Sequence, residues 1–89
     1  MYAVVAQVSI PSGKQDEAIE HLQNTVVPRV KQAPGVVAAY WVEPKDGHGQ
    51  GLIVFESEDA AKTAREMAMQ APGPVTFDSI EVREVIANI

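Results

Sequence analysis

The stretch VAAYWVEP at residues 37–44 holds the side chains best suited to contact an aromatic ligand. Trp41 is the only Trp in the chain, and Tyr40 is one of two Tyr. Successive side chains of a β-strand point to opposite faces of the sheet, so these two rings cannot share a face. One ring therefore fills the core, and the other needs cover from a ligand or from another chain.

Polar side chains favour odd-numbered positions on three predicted strands. They are Gln7, Ser9, Trp41, Glu43, Glu81 and Arg83. If they share one face, they line a pocket with an aromatic wall and a few hydrogen-bonding groups. The alternative is a dimer interface in which Glu81 and Arg83 form ion pairs and Gln7 is satisfied by the partner. The sequence favours the interface, and for both aromatic rings it favours packing over ligand stacking.

The other reactive residue types form no catalytic or metal-binding pattern. The chain has no Cys to supply a thiolate or a disulfide. His21 and His48 have no carboxylate at ligand spacing, so we expect no metal site. No Ser/His/Asp arrangement is evident, and Glu81 and Glu84 point to opposite faces of one strand. The GHGQG segment joins strand to strand without a following helix, so it is not a phosphate-binding loop.

Charge and length limit the class of protein. The net charge is −5, and seven bases are scattered among twelve acids. Phosphate backbones need clustered Lys and Arg, so nucleic acid and anionic membranes are not expected partners. No apolar run approaches the ~20 residues of a membrane span, and Gln7 and Ser9 interrupt the first apolar run, so no signal peptide is predicted. We expect one cytoplasmic domain covering residues 1–89.

The first third of the chain predicts a strand followed by a helix. Residues 2–10 alternate as a half-buried strand does. Ser12 and Gln15 have the spacing of a capping box, which predicts a helix start. Apolar residues then recur at helical spacing up to Ala33. Pro28 predicts a kink or a break, and the PG pair at residues 34–35 ends the helix.

The rest of the chain predicts a hairpin, a second helix and a last strand. Residues 36–43 and 51–56 are the strands of the hairpin, and Asp46-Gly47 is its turn signal. Ser57 caps the second helix, whose Ala-rich face can lie close to a sheet. Residues 71–75 (APGPV) end this helix, and residues 76–89 form the fourth strand.

The element order βαββαβ predicts a ferredoxin-like α+β fold. Both helices then pack on one face of a four-stranded antiparallel sheet, and the opposite face stays bare. An apolar bare face is an aggregation hazard in a monomer, so we expect a homodimer through this sheet face.

The two faces of the second strand differ in polarity, and this difference predicts the direction of Trp41. Ala39, Trp41 and Glu43 form the mixed face, whereas Val36, Ala38, Tyr40 and Val42 form the smoother face. We therefore expect Trp41, not Tyr40, to point away from the helices, beside Gln7 and Ser9. A β-bulge between Val36 and Val42 would reverse this assignment.

The whole chain resembles the dimeric α/β-barrel superfamily, and within it the antibiotic-biosynthesis monooxygenase-like (ABM) domains. The resemblance rests on the element order and on residues 33–64, APGVVAAYWVEPKDGHGQGLIVFESEDAAKTA. It implies a dimer that packs sheet to sheet, with a pocket between each sheet and its helices or loops. Known enzymes of the family include cofactor-independent oxygenases of quinol-like substrates and haem-degrading enzymes.

The resemblance implies a monooxygenase-like enzyme for an aromatic or quinol-like substrate. The alternative is a non-catalytic dimer that binds a small hydrophobic ligand or acts in a stress response. The substrate-binding candidates are Gln7, Tyr40, Trp41, Phe55 and Arg83, with Trp41 as a wall, Gln7 as a hydrogen-bond donor and Arg83 as the anion stabiliser. Haem-degrading relatives pair a first-strand Asn with a helix His and a Trp, whereas this chain has Gln7 in the first strand and no His after His48. We therefore expect no haem, metal or other cofactor.

Overall fold

The computed structural model describes residues 1–71 and 73–89. It confirms the ferredoxin-like α+β fold, with one four-stranded antiparallel sheet in the order β2-β3-β1-β4. The strands are β1 (Tyr2–Ser9), β2 (Val36–Lys45), β3 (His48–Phe55) and β4 (Thr76–Glu84). The α-helices are α1 (Gln15–His21), α2 (Val27–Lys31) and α3 (Glu58–Gln70). None of the helices in the described residues is long and apolar enough to cross a membrane.

The first helix begins later than its predicted cap. Lys14 is the N-cap residue, and no side chain accepts a hydrogen bond from the first turn, so the prediction of a cap at Ser12 is wrong. Ser12 instead belongs to a tight turn in which the Lys14 N–H donates to the Pro11 carbonyl over 3.0 Å. Gly13 makes this turn possible with a φ of 79°, a value that side-chain-bearing residues rarely adopt.

Pro28 is accommodated by a change of helix type. A π-helical segment, Leu22–Val26, joins α1 directly to α2, so of the predicted kink or break at Pro28 the break is wrong. Proline has no N–H to donate to the preceding turn, and a wider π turn absorbs the resulting mismatch. The segment after the π turn, α2, lies opposite the edge strand β2.

The β2–β3 hairpin is tighter than the sequence predicted. β3 begins at His48 rather than at residue 51, and the loop shrinks to Asp46 and Gly47. Both loop residues have positive φ, 55° and 79°, as a two-residue type I′ turn requires. The Asp-Gly turn signal is confirmed, and the polar residues that follow it extend β3.

The helix α3, which the sequence predicted as the second helix, packs closely on the middle of the sheet. Its predicted cap is confirmed, because the Ser57 hydroxyl accepts a hydrogen bond from the Ala60 N–H over 3.2 Å. Ala61 is fully buried, and the buried core beneath it comprises Val4, Ala6, Ile53, Phe55 and Ile80. Small side chains on α3 therefore allow close contact with the sheet. Pro72, predicted to help end this helix, lies outside the described residues.

The last strand stops before the predicted end. β4 ends at Glu84, which is paired with Tyr2, the first residue of β1. The Val85 N–H then donates to the Met1 carbonyl over 2.9 Å. No neighbouring strand continues beyond that point, so the final five residues have no ladder to join, although residues 76–89 were predicted as one strand.

The predicted direction of Trp41 is wrong, and a β-bulge is the reason. Val36 pairs with Phe55 and Ala38 pairs with the next residue of β3, so Val37 is an extra residue in β2. The bulge reverses the alternation of faces along the rest of the strand. Trp41 therefore packs against the core on the helix side, whereas Tyr40 is 67% exposed on the opposite side.

Candidate functional site

The sheet divides the five predicted substrate-binding residues into two groups. Trp41 and Phe55 lie on the helix side, where Phe55 is almost completely buried in the core. The strand register places Gln7, Tyr40 and Arg83 on the other side, which we call the bare face. Side chains from the two groups cannot contact one small ligand together, because the sheet backbone separates them.

The helix side contains a cavity of about 310 Å³ between α2 and β2. It lies within the size range of small-molecule sites. Trp41 forms its aromatic wall. The lining residues are Val27, Val30, Lys31, Val36, Val37, Ala38, Ala39 and Trp41.

Local sequence explains why the Trp41 ring lies over the sheet. Trp41 is opposite Gly51 in the β2–β3 register. A Cβ atom at Gly51 would lie 2.7 Å from Trp41 Cδ1 and 2.8 Å from Trp41 Nε1, well inside contact distance. The missing side chain of Gly51 therefore makes the room that the indole occupies. Sequence reasoning missed this cross-strand pair, because the pairing depends on the Val37 bulge.

Valine and lysine side chains form the opposite wall of the cavity. Val27, Val30 and Lys31 are three and four residues apart, so they share one face of the helix. Lys31 is exposed, and it is the only charged residue among those that line the cavity. The arrangement can hold a flat apolar body against an indole, with an ammonium group at its edge.

The bare face carries an apolar patch with a polar margin. Its side chains form three rows across the sheet, and each row has one residue from β2, β3, β1 and β4 in that order. The first row is Ala38, Val54, Ala3 and Arg83. The second is Tyr40, Leu52, Val5 and Glu81, and the third is Val42, Gln50, Gln7 and Ser79. Tyr40, Val42 and Leu52 are 67%, 59% and 41% exposed. At the margin, Arg83 Nη2 lies 2.8 Å from Glu81 Oε2. The patch has the composition of an interface rather than of a solvated surface.

The structure also assembles a Ser/His/Asp cluster that the sequence did not reveal. The Ser9 hydroxyl lies 2.8 Å from both carboxylate oxygens of Asp78, and His48 Nδ1 lies 3.6 Å from Asp78 Oδ2. Ser9 pairs with His48 in the sheet, so only the β1–β3 register could have brought them together. The hydroxyl donates to the carboxylate instead of to the imidazole, so this cluster lacks the hydrogen-bond order of a nucleophilic triad.

A second cavity, of about 430 Å³, lies between α3 and β4. It is lined by Lys62, Arg65, Glu66, Ile80, Glu81 and Val82. Its central cation is already engaged, because Arg65 Nε donates to the Ile80 carbonyl over 2.8 Å and Arg65 Nη1 lies 3.2 Å from Glu66 Oε1. This cavity has no aromatic wall, so the α2–β2 cavity is the better candidate for a small aromatic ligand.

The fold defines the class of protein. A four-stranded antiparallel sheet with helices on one face, in the order βαββαβ, is a ferredoxin-like α+β domain. The family model "Antibiotic biosynthesis monooxygenase" matches residues 1–71. The chain therefore belongs to the antibiotic biosynthesis monooxygenase (ABM) family. No curated protein matches the sequence at a significant level.

One solved structure supports the fold independently. The chain is similar to a crystal structure of a MhuD mutant with two manganese protoporphyrin IX bound per active site. The TM-score is 0.69 at 18% sequence identity, and the match covers 100% of this chain and 98% of that chain. At this identity the likeness shows a shared fold.

The α2–β2 cavity does not fit a haem group. Haem iron is held in proteins by His, Cys, Met or Tyr side chains. The described residues that line this cavity include none of these four types. His48 lies instead in the Ser9–Asp78 cluster, and Tyr40 points to the bare face.

Proposed function

We propose that the chain is a cytoplasmic, homodimeric, cofactor-independent monooxygenase that acts on a small aromatic or quinol-like substrate. The observation that carries this proposal is the α2–β2 cavity, with the Trp41 indole on one side and Val27 and Val30 on the other. Membership of the ABM family supports the reaction class. The cavity volume of about 310 Å³ supports a substrate of one or two fused rings.

The chemistry needs an electron-rich substrate that reduces dioxygen itself. The deprotonated substrate gives its electrons to dioxygen, and a carbon–oxygen bond forms. The oxygen–oxygen bond then breaks, so that one oxygen atom stays on the substrate and the other leaves as water with two hydrogens from the substrate. An anthrone thereby exchanges its CH2 group for a carbonyl, and a naphthohydroquinone becomes a hydroxynaphthoquinone. The protein orients the ring, excludes water and stabilises the anion. Trp41 is the stacking wall, and Phe55 supports the core beside it.

The side chains of Gln7, Tyr40 and Arg83 lie on the bare face, so we propose roles for them at an interface. We propose that a second copy of the chain covers this face, sheet to sheet. Tyr40, Val42 and Leu52 then become the apolar centre of the interface, and Gln7 and Arg83 supply polar contacts at its margin. A stable interface of standard size buries about 1,600 Å² in total, and a four-stranded sheet face is a natural platform for one.

The alternative function is a non-catalytic dimer that binds a small hydrophobic ligand. One observation favours it, because no His, Asp, Glu or Tyr is among the described residues that line the α2–β2 cavity. A substrate bound there therefore has no side-chain general base close by. The two functions differ in whether a bound aromatic compound is oxidised.

Oxygen uptake separates the two functions. The protein is mixed anaerobically with a naphthohydroquinone or an anthrone, and isotope-labelled dioxygen is then admitted. We expect product formation above the uncatalysed rate, with one labelled oxygen in an oxygenated product. Val30→Phe should abolish the increase by filling the cavity, whereas Met69→Phe, on an exposed part of α3, should not. Binding without any rate increase would support the non-catalytic alternative.

Sedimentation tests the homodimer. At micromolar concentration we expect about twice the 9.6 kDa chain mass. Leu52→Glu should give a folded monomer, since it places a charge at the centre of the interface. The matched control is Met67→Glu, at an exposed position on α3, and it should remain dimeric. A wild-type monomer at these concentrations would contradict the proposed interface.

A further inference from the structure

We infer that the ligand of the α2–β2 cavity is an aromatic anion, a phenolate or a carboxylate on a ring, and that Lys31 selects it by charge. This inference rests on the proposed function, because it names the substrate class of the same cavity. It assigns to Lys31 a binding role that the sequence did not suggest.

The charge distribution around the cavity carries the inference. The whole chain has twelve acids and a net charge of −5, so its average surface repels anions. Of the eight described residues that line the cavity, seven are apolar and the eighth is Lys31. A ligand bound there meets one positive charge and no lining carboxylate. An anionic group gains attraction at this edge, whereas a neutral group gains none.

Lys31 is available to a ligand. The ion pairs of the described residues engage Lys14, Lys62, Arg65 and Arg83 as cations together with His48, and Lys31 is not among them. An exposed lysine packs its aliphatic stem on apolar surface and keeps its ammonium in water. The stem of Lys31 can extend the apolar wall of α2, so that the ammonium lies at the mouth of the cavity.

The carbonyl groups at the end of α2 do not cancel this attraction. The last carbonyls of a helix carry partial negative charge and disfavour a nearby anion. Here the Arg29 carbonyl accepts from the Gln32 N–H over 3.2 Å, and the Val30 carbonyl accepts from the Ala33 N–H over 3.0 Å. Each of these carbonyls therefore has one partner in the chain, and the partial charge at a helix end, about half an elementary charge, is smaller than the full charge of the Lys31 ammonium.

An anionic ligand also agrees with the chemistry of the proposed reaction. A phenolate is more electron-rich than the phenol, and it is the form that gives electrons to dioxygen. With the ring between Trp41 and Val30, its charged oxygen can point toward the Lys31 ammonium. Lys31 then stabilises the reactive form of the substrate without a metal or a general base in the cavity.

A matched pair of probes tests the inference. The dissociation constants of 2-naphthoate and of neutral 2-naphthamide are measured by calorimetry, and the single Trp41 indole N–H resonance reports occupancy of the cavity. We expect the anion to bind about tenfold more tightly to the wild type, with a preference that weakens as salt is added. Lys31→Met should reduce this ratio to about one, mainly by weakening the anion.

Two control variants make the result specific. Lys31→Arg keeps the charge and should keep the preference for the anion. Lys45→Met removes the same charge from the far end of β2, outside the cavity lining, and should also keep it. Lys31 is exposed, so its variants should retain the wild-type circular dichroism spectrum.

Three outcomes would overturn the inference alone, and a fourth would contradict the proposed function as well. Equal affinities of the two probes in the wild type, a preference that survives in Lys31→Met, or a preference lost in Lys45→Met would each remove the selective role of Lys31. In all three cases a Trp41 resonance that still shifts leaves the cavity as the binding site. If neither probe shifts the Trp41 resonance, the proposed function fails together with the inference.

Discussion

The helices α2 and α3 pack against the same face of the sheet in different ways. Around Ala61 the α3 interface is closed, since Ala61 is fully buried and Ala60, Ala64 and Ala68 pack on the core beside it, and it opens only toward β4, where Arg65 lines the second cavity. Beneath α2 the interface is open, since Val27, Val30 and Lys31 face β2 across a cavity of about 310 Å³. The centre of α3 therefore covers the core, whereas α2 lines the candidate site.

The difference shows how side-chain size and helix geometry create a cavity. Alanine lets a helix backbone approach the sheet, and around Ala61 the side chains pack closely. On α2 the side chains that face β2 are the longer ones of Val27, Val30 and Lys31, and a π-helical segment, Leu22–Val26, precedes this helix.

Ala61→Leu should have the largest effect on stability. Ala61 is 0% exposed, so three extra carbon atoms have no space between α3 and the sheet. We expect a loss of about 3 kcal/mol in the free energy of unfolding, measured with urea. The matched change on the other side is Val30→Leu, which adds one carbon beside the cavity and should cost less than about 1 kcal/mol. Equal losses would show that the α2 interface is packed as tightly as the α3 interface.

Gly51→Ala should disturb the site more than the core. The new Cβ atom would meet the Trp41 ring at 2.7 Å, so the ring must move. We expect a loss of about 2 kcal/mol and a shifted Trp41 fluorescence maximum. Gly49→Ala is the control, because its Cβ atom would meet Val8 at 3.1 Å and not the indole. If Gly49→Ala shifts the fluorescence equally, the Trp41–Gly51 packing is not as described.

Substitutions at the N-termini of the helices should have the smallest effect on stability. Ser57→Ala removes the hydrogen bond to the Ala60 N–H and should cost about 1 kcal/mol. Ser12→Ala should cost almost nothing, since Ser12 lies before the N-cap of α1 and accepts no hydrogen bond from the first turn. Chemical denaturation of both variants measures the difference. A larger loss for Ser12→Ala would reverse the contrast between the capped and the uncapped helix.

The sequence predicted what depends on local pattern. Alternation and helical spacing predicted the βαββαβ order, and short-range chemistry predicted the Ser57 cap and the Asp46-Gly47 turn. Ser12 and Gln15 showed the limit of that approach, since a capping-box spacing also fits a turn that closes before the helix starts.

The candidate site depends on long-range register, which the sequence did not show. A single extra residue, Val37, exchanges the faces of Trp41 and Tyr40. The Ser9, His48 and Asp78 cluster likewise needs three strands in one register. The sequence therefore proposed candidate residues whose roles stay predictions, and it could not show which of them share a face of the sheet.

A crystal structure with a bound ligand tests the central claim most directly. Crystals are grown with 2-naphthoate or with an anaerobic naphthohydroquinone, and the position of the ring is read from the electron density. We predict the ring between α2 and β2, in van der Waals contact with Trp41 and with its oxygen toward Lys31. A ring bound on the bare face, or between α3 and β4, would contradict the assignment of the site.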